Sequence, residues 1–425
     1  MKTVDVAVIG AGFAGLSAAH ALREDGAGII VLEAQGEPGG RVRTITHADG
    51  IAYEKGGQFF CRDMTRVCAL VERFGLTRRD VRKDPGIVAM LGGERRRLDT
   101  DFLEHGFFPM IFAADPAFPG SLGDWVDSLK LAPDAVAMIR SGCEEVLGRP
   151  IEDLSFRSTL DCLRRFESFE NTMEYCCLEG LGTLAGLMAR ELGDSFRAHA
   201  PVASVARKDG AFHLATPGET IAARQIVYAA SPVVLRNVAW TAPQDQWLKG
   251  HGELFVAGRM RKIVMRFERA FWRGSDFGWL GQTDSPSGLS VMDCSDLADN
   301  LCLLAVFCGG TAATTLEGLS DDEALDRVMD VIEPMLGPEV RTPVTVVQTN
   351  WTDHPWVGGG YATWARPWDR SDPWAPLRRS HDGLHFTGAE LASAYPGFIE
   401  GAIRAGHETA ARIRQGSSEP ALTGP

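Results

Sequence analysis

The chain has 425 residues, 45% of them hydrophobic and 23% charged, which is ordinary for a globular protein with room for two or three domain-sized cores. A net charge of −13 and a pI near 5.3 argue against nucleic acid and anionic membrane surfaces as main partners and favour encounter with cations. Nine cysteines without CxxC or His-paired metal spacing read as free thiols in a reducing compartment, and no window approaches the roughly 18 uninterrupted apolar residues of a membrane helix.

A strand-like run, Val4 to Ile9, begins almost at Met1, so no signal peptide is expected and the protein is expected to be cytoplasmic. The run breaks at Gly10-Ala-Gly12-Phe-Ala-Gly15 into an Ala- and Leu-rich helical pattern. Gly10 permits the turn, Gly12 lets a diphosphate approach the backbone, and Gly15 lets helix and strand pack closely. A second apolar run, Ile29 to Leu32, ends in Glu33, placed to accept hydrogen bonds from an adenosine ribose and to repel a 2′-phosphate. Strand, turn, helix, strand and acid arrive in the order a dinucleotide site requires. Pro38-Gly39-Gly40-Arg41 goes beyond NAD, because a glycine pair followed by arginine suits a second backbone approach to a longer anionic cofactor.

These motifs resemble the N-terminal FAD fingerprint of the flavin-dependent amine oxidase family, which contains the monoamine and polyamine oxidases. Carotenoid desaturases and protoporphyrinogen oxidases share it, so the opening stretch implies FAD and not yet an amine. The resemblance implies an α/β fold with a discontinuous Rossmann-like FAD-binding domain (1–78, 178–251 and 354–415). A substrate domain (79–177 and 252–353) would carry a mixed sheet and a helical layer. The polar tail 416–425 reads as disordered.

Gly56-Gly57-Gln58 follows a short strand, and in the resembled family a glycine pair here borders the flavin ring. From Met64 to about Asp194 the pattern is mostly helical, with segments at Thr65–Phe74, Ala132–Leu147 and Ser158–Phe169. Phe102, Phe107, Phe108, Phe112 and Phe118 concentrate between proline breaks, mostly as core, with one or two open to lining a substrate entrance. Arg95 to Arg97 follow Gly92-Gly93 as an exposed hairpin, and Cys176-Cys177 suits plain packing. A helix from Gly180 to Leu192 leads to strand patterns at Phe196–Ala206 and Gln225–Ala229. By resemblance these return to the FAD domain, where Val202 would touch the adenine through its backbone. Strands follow at Arg261–Phe267, Gly278–Gly281, Leu289–Asp293, Cys302–Phe307 and Val344–Gln348, with a helix at Asp321–Leu336. Near the C-terminus a strand ends at Gly388, before Glu390. A helix is expected to start near Pro396, and this matches the family's C-terminal signature, with Gly388, Glu390, Gly397, Phe398 and Ile399 at the flavin.

Three features imply amine chemistry. Lys262 stands where the family links a lysine through water to flavin N5, although strand alternation alone puts it in phase with Arg266 and Glu268, as a solvent-facing lysine. Trp351 and Gly358-Gly-Gly360-Tyr361 resemble a run in which the monoamine oxidases carry a flavin-bonding cysteine at the position of Gly360. Glycine cannot form that bond, so FAD is expected to be non-covalent. Tyr361 and Phe398 stand where two tyrosines flank the substrate amine, and two ring faces can orient an amine and exclude water. Phe398 keeps the ring face without the hydroxyl.

The expected reaction is hydride transfer from the amine α-carbon to flavin N5, hydrolysis of the imine to a carbonyl, and reoxidation by O2 giving hydrogen peroxide. A desaturase or protoporphyrinogen oxidase of the same fold group, an L-amino-acid oxidase and a non-oxidising flavoprotein are the alternatives. An amino-acid oxidase would need an arginine for the carboxylate, and neither Arg62 nor Arg95 to Arg97 has an assignable context. The amine itself stays open, as does assembly, with a homodimer one possibility.

Overall fold

The computed structural model describes residues 2–81, 86–98, 108–167, 172–241, 245–274, 277–296, 300–366 and 372–416. Phe102, Phe107 and the tail beyond Gly416 lie outside the described residues. The opening apolar run forms the strand Lys2–Ile9, flanked in parallel by Ile29–Leu32 and Glu219–Tyr228, with Val6 opposite both Ile29 and Gln225. These strands belong to a nine-stranded sheet to which Phe196–Arg197, Ser204–Lys208, Ala211–Thr216 and Leu384–Phe386 also contribute. The order places distant segments side by side: Leu384–Phe386 pairs in parallel with Ile226 to Tyr228.

Alternation along Lys2–Ile9 sends Val6 and Val8 into a core with Leu16, Leu22 and Ile403, while Ala7 and Ile9 enter a second core with Ile30, Leu32 and Phe212. The first core is closed by two helices, Phe13–Glu24 and Ile399–Arg414, that cross at very short range. A β-carbon on Gly406 would lie 2.4 Å from the Ala14 carbonyl oxygen, so the crossing requires glycine. Gly15 serves the turn in the same way: a β-carbon there would lie 2.0 Å from the Gly10 carbonyl oxygen.

A seven-stranded mixed sheet runs in the order Thr345–Asn350, Met260–Phe267, Cys302–Gly309, Ser287–Asp293, Leu280–Asp284, Ile87–Leu91 and Glu94–Leu98. All pairs are antiparallel except Leu280–Asp284 with Ile87–Leu91. One face packs Ile263, Met265, Leu304 and Val306 against Val328 and Ile332 of the helix Asp321–Leu336. That helix starts where a capping box forms, Ser320 Oγ accepting from the Glu323 N–H and Glu323 accepting from the Ser320 N–H. The helix Pro133–Leu147 packs on the strands Ser287–Asp293 and Leu280–Asp284, with proline in its first turn and Gly148 left-handed at its end.

Two expected boundaries moved for identifiable reasons. The helix expected over Ser158–Phe169 occupies Phe156–Leu163, because Ser155 caps it by accepting from the Ser158 N–H. The last helix begins at Ile399 rather than near Pro396, since Gly397 has a φ of 82° and Phe398 is extended. All nine cysteines are free thiols. Among the described residues no helix is long and apolar enough to cross a membrane.

Candidate functional site

A cavity of about 890 Å³ runs from Glu33, Gly10 and Val202 past Gly12, Gly40 and Arg41 to Gly57, Gln58, Tyr361 and Phe398. It continues between Met138, Ile139, Cys143 and Glu145 of the helix Pro133–Leu147. Gly388, Glu390, Gly397 and Ile399 line it as well. Of the residues picked out in the sequence, Gly15, Lys262, Trp351 and Gly360 stand behind this lining.

Two helix N-termini open into the cavity, at Gly12 and at Phe398, and no side chain caps either one. The start of the helix Leu181–Leu192 is served differently: the Leu181 N–H donates to Glu54 and the Gly182 N–H to Thr44 Oγ1 at 2.8 Å. Uncapped N-termini facing one cavity leave several N–H donors and two positive dipole ends for an anionic group. Beside the first, Glu33 is buried and accepts from the Ala11 N–H at 2.8 Å and the Gln35 N–H at 2.9 Å. Burial pushes its carboxyl up, and those N–H groups oppose the shift.

Arg41 donates to the Tyr361 carbonyl at 2.6 Å and grips Glu390 with both nitrogens, at 2.5 and 3.0 Å. Burial raises the Glu390 carboxyl, but the Arg41 guanidinium outweighs it and holds Glu390 below the usual carboxylate range. The glycine pair before Arg41, the loop at Tyr361 and the segment at Glu390 are thereby locked together.

Lys262 corrects the plain reading of alternation. It is 1% exposed, because the strand face it shares with Met260 and Val264 is covered by Tyr53 and Trp351 rather than by water. Its ammonium donates to the Gly56 carbonyl at 2.9 Å and to Gln58 Oε1, and lies 5.4 Å from the centre of the Phe307 ring. Burial brings its pKa down to about 8, partly opposed by Glu54. Glu54 is itself pushed up to about 7 by burial, and accepts from Thr44 Oγ1 at 2.7 Å. Trp351 stands behind Gly56 and Gly360 and donates from Nε1 to the Lys55 carbonyl at 2.9 Å.

Tyr361 and Phe398 both line the cavity. Tyr361 packs on Phe307 with ring centres 6.4 Å apart, and Phe398 meets Phe166 edge-on at 5.5 Å. Burial, with Glu145 adding to it, pushes the Tyr361 hydroxyl well above 10. Phe118 packs instead with Phe156, at 5.3 Å, as core.

Glu54 and Glu145 were missed in the sequence. For Glu145 part of the signal was present: with Met138 and Gly142 it forms an i, i+4, i+7 stripe, so the acid shares one helix face with a methionine and a glycine. The arginines considered for a carboxylate are engaged elsewhere, Arg62 with Glu174 and Arg96 with Asp134 and Glu94. Arg41, bound to Glu390, is the one arginine among the described residues lining the cavity.

The family model for flavin containing amine oxidoreductase matches residues 13–141 and 133–414. The L-amino acid dehydrogenase of Synechocystis is 23% identical over 97% of this chain and 95% of its own length. Human flavin-containing amine oxidase B is 21% identical over 96% of this chain and 86% of its own. Among solved structures, cyclohexylamine oxidase from Brevibacterium oxydans superposes with a TM-score of 0.88 at 22% identity, covering 97% of this chain and 99% of that one. A putrescine oxidase bound to putrescine gives the same TM-score and coverage at 23% identity. At these identities the structural likeness establishes a shared fold.

Proposed function

Because the chain belongs to the flavin-containing amine oxidoreductases, we propose that it oxidises a small amine with non-covalently held FAD and passes the electrons to O2. The observation that carries this reading is a single cavity joining the Gly10-to-Glu33 turn to the rings of Tyr361 and Phe398, with the buried Lys262 ammonium behind Gly56 and Gln58.

The residues present fit FAD, since two uncapped helix starts, an acid and a paired arginine line one cavity of about 890 Å³. The N–H groups after Gly12, the Gly40 backbone and Arg41 would hold the diphosphate, Glu33 the ribose, and the backbone at Val202 the adenine. Gly57, Gln58, Gly388, Gly397 and Ile399 would border the ring system. Gly360 offers no nucleophile for a covalent link. When bound, FAD supplies the acceptor for the hydride from the amine α-carbon, and water then converts the iminium to a carbonyl.

The chain's own part is orientation, dryness and charge. Tyr361 and Phe398 present two ring faces that align the amine and exclude water around the carbon losing hydride. The helix start at Ile399 sets a positive dipole end, and Lys262 a positive charge, where electron density arrives. Lys262 would also assist the return of electrons to oxygen. An amino-acid substrate is disfavoured, because the one arginine among the described lining residues is already bound to Glu390. Free thiols and net acidity suit a cytoplasmic enzyme.

Anaerobic mixing of the holoenzyme with a panel of amines, followed at the flavin absorbance band, tests the reading. Bleaching, then hydrogen peroxide on readmission of air, is expected. If no amine bleaches the flavin, the amine reading fails; bleaching with sluggish reoxidation would replace oxygen by another acceptor.

A further inference from the structure

Glu145 sits in the last turn of the helix Pro133–Leu147 and faces the cavity near Tyr361. Among the described residues its carboxyl has neither a hydrogen-bond nor an ion-pair partner. Nothing structural recommends an acid there. The C-terminal end of a helix carries a partial negative charge that opposes a carboxylate, and removal from water adds a desolvation penalty that no cation among the described residues offsets. Burial accordingly pushes this carboxyl up to about 8. The preceding residue shows what a structural acid looks like in this helix, since Glu144 accepts from the Thr311 N–H at 3.1 Å.

The surroundings of Glu145 are also prepared for something polar. Gln282 and Ser290 face each other across two strands and line the same cavity, and Ser290 Oγ is buried without a partner among the described residues. A β-carbon on Gly142, one turn before Glu145, would lie 3.2 Å from Gln282 Nε2, so this amide reaches the helix face that carries Glu145. Glu145, Gln282 and Ser290 therefore line the same cavity as Met138, Ile139 and Cys143.

Resting on the amine-oxidase reading, we infer that Glu145 receives a second ammonium group of the substrate, making the preferred substrate a diamine whose other nitrogen reacts between Tyr361 and Phe398. An arriving ammonium would give the carboxyl the counter-charge it lacks, and Gln282 and Ser290 would supply neutral hydrogen bonds around it. The same carboxyl would repel the carboxylate of an amino acid.

The test compares alkyl monoamines with diamines of matched chain length on holoenzyme, wild type and Glu145→Gln. The wild type is expected to favour diamines in kcat/KM, and Glu145→Gln to lower the diamine-to-monoamine ratio by about tenfold or more. The variant keeps the side chain's shape and removes no hydrogen bond or ion pair found among the described residues, so folding is not endangered. A second readout needs no turnover: calorimetric binding of a diamine with no hydrogen on either nitrogen-bearing carbon, in buffers of different ionisation enthalpy at pH 7. Wild type should release about one proton more per diamine bound than Glu145→Gln, because pairing ionises a carboxyl that is otherwise protonated. A ratio unchanged in Glu145→Gln, or equal proton release by the two proteins, would overturn the assignment while leaving the amine reading intact. If neither class of amine reduces the flavin, the amine reading falls and takes this one with it.

Discussion

Glu390 is shared between Arg41, which it binds across 349 positions of chain, and the Thr363 N–H, which it accepts at 2.9 Å. Replacing Glu390 with Gln keeps the shape but leaves a guanidinium in the cavity without its counter-charge. The expected loss is about 3 kcal/mol of unfolding free energy, read as a lower denaturant midpoint. The Glu390 pKa is depressed from its ordinary 4.5 in the folded state, so this stabilisation is complete above that value and disappears as pH falls through the folded one. The stability gap between wild type and variant should therefore close in acid; a gap independent of pH would contradict the ion-pair account.

Lys262 separates function from stability. Its folded pKa of about 8 lies below the ordinary 10.5, so the cost of burying the charge is full below pH 8 and is relieved as pH rises toward 10.5. Lys262→Met should leave stability at pH 7 unchanged or raise it by about 1–2 kcal/mol, with the difference shrinking above pH 8. Stopped-flow measurements should show flavin reoxidation slowed much more than flavin reduction. Equal slowing of both would remove its proposed part in the return of electrons to oxygen.

Gly15→Ala tests the turn. Its β-carbon would have to displace the Gly10 carbonyl, since the two would lie 2.0 Å apart, and the neighbouring Ala229 β-carbon, at 3.0 Å, gives no room on that side. A loss of about 1–3 kcal/mol is expected, together with weaker FAD retention on gel filtration. Full retention at wild-type stability would mean that helix and strand can separate at no cost.

Much of this arrangement was readable because it is local. The turn from Gly10 to Glu33 and the helix Asp321–Leu336 each carry their punctuation within a few residues, as Ser320 and Glu323 do. What escaped was decided by distant covering. Lys262 alternates as a surface residue should, and it is residues from other parts of the chain, Tyr53 and Trp351 among them, that bury the face it occupies. Glu145 looked like one more charge in a helix. Its helical phase was available, but which stripe of that helix faces a cavity depends on the strands beneath it. Pro396 resembled a helix start, yet the left-handed Gly397 and extended Phe398 delay the helix so that its N-terminus reaches the cavity.

The flavin should come away with acid. Gly360 has no side chain to bond it, so precipitation with trichloroacetic acid should leave all the yellow chromophore in the supernatant, with the mass of intact FAD. Chromophore remaining in the pellet would require a different attachment residue.

The two rings should divide in their responses. Phe398 lines the cavity with a ring and no hydroxyl, so on the proposed reading Phe398→Tyr is expected to change the anaerobic reduction rate by less than about threefold, while Phe398→Ala should lower it by about ten- to a hundredfold as orientation is lost. Tyr361 has a hydroxyl, but burial and Glu145 hold its pKa well above 10, so it stays neutral through the working range. The pH profile of flavin reduction should therefore keep the same limbs in Tyr361→Phe as in wild type. A limb that vanishes in Tyr361→Phe would mean that the hydroxyl handles a proton during the reaction, and that Tyr361 acts by more than its ring.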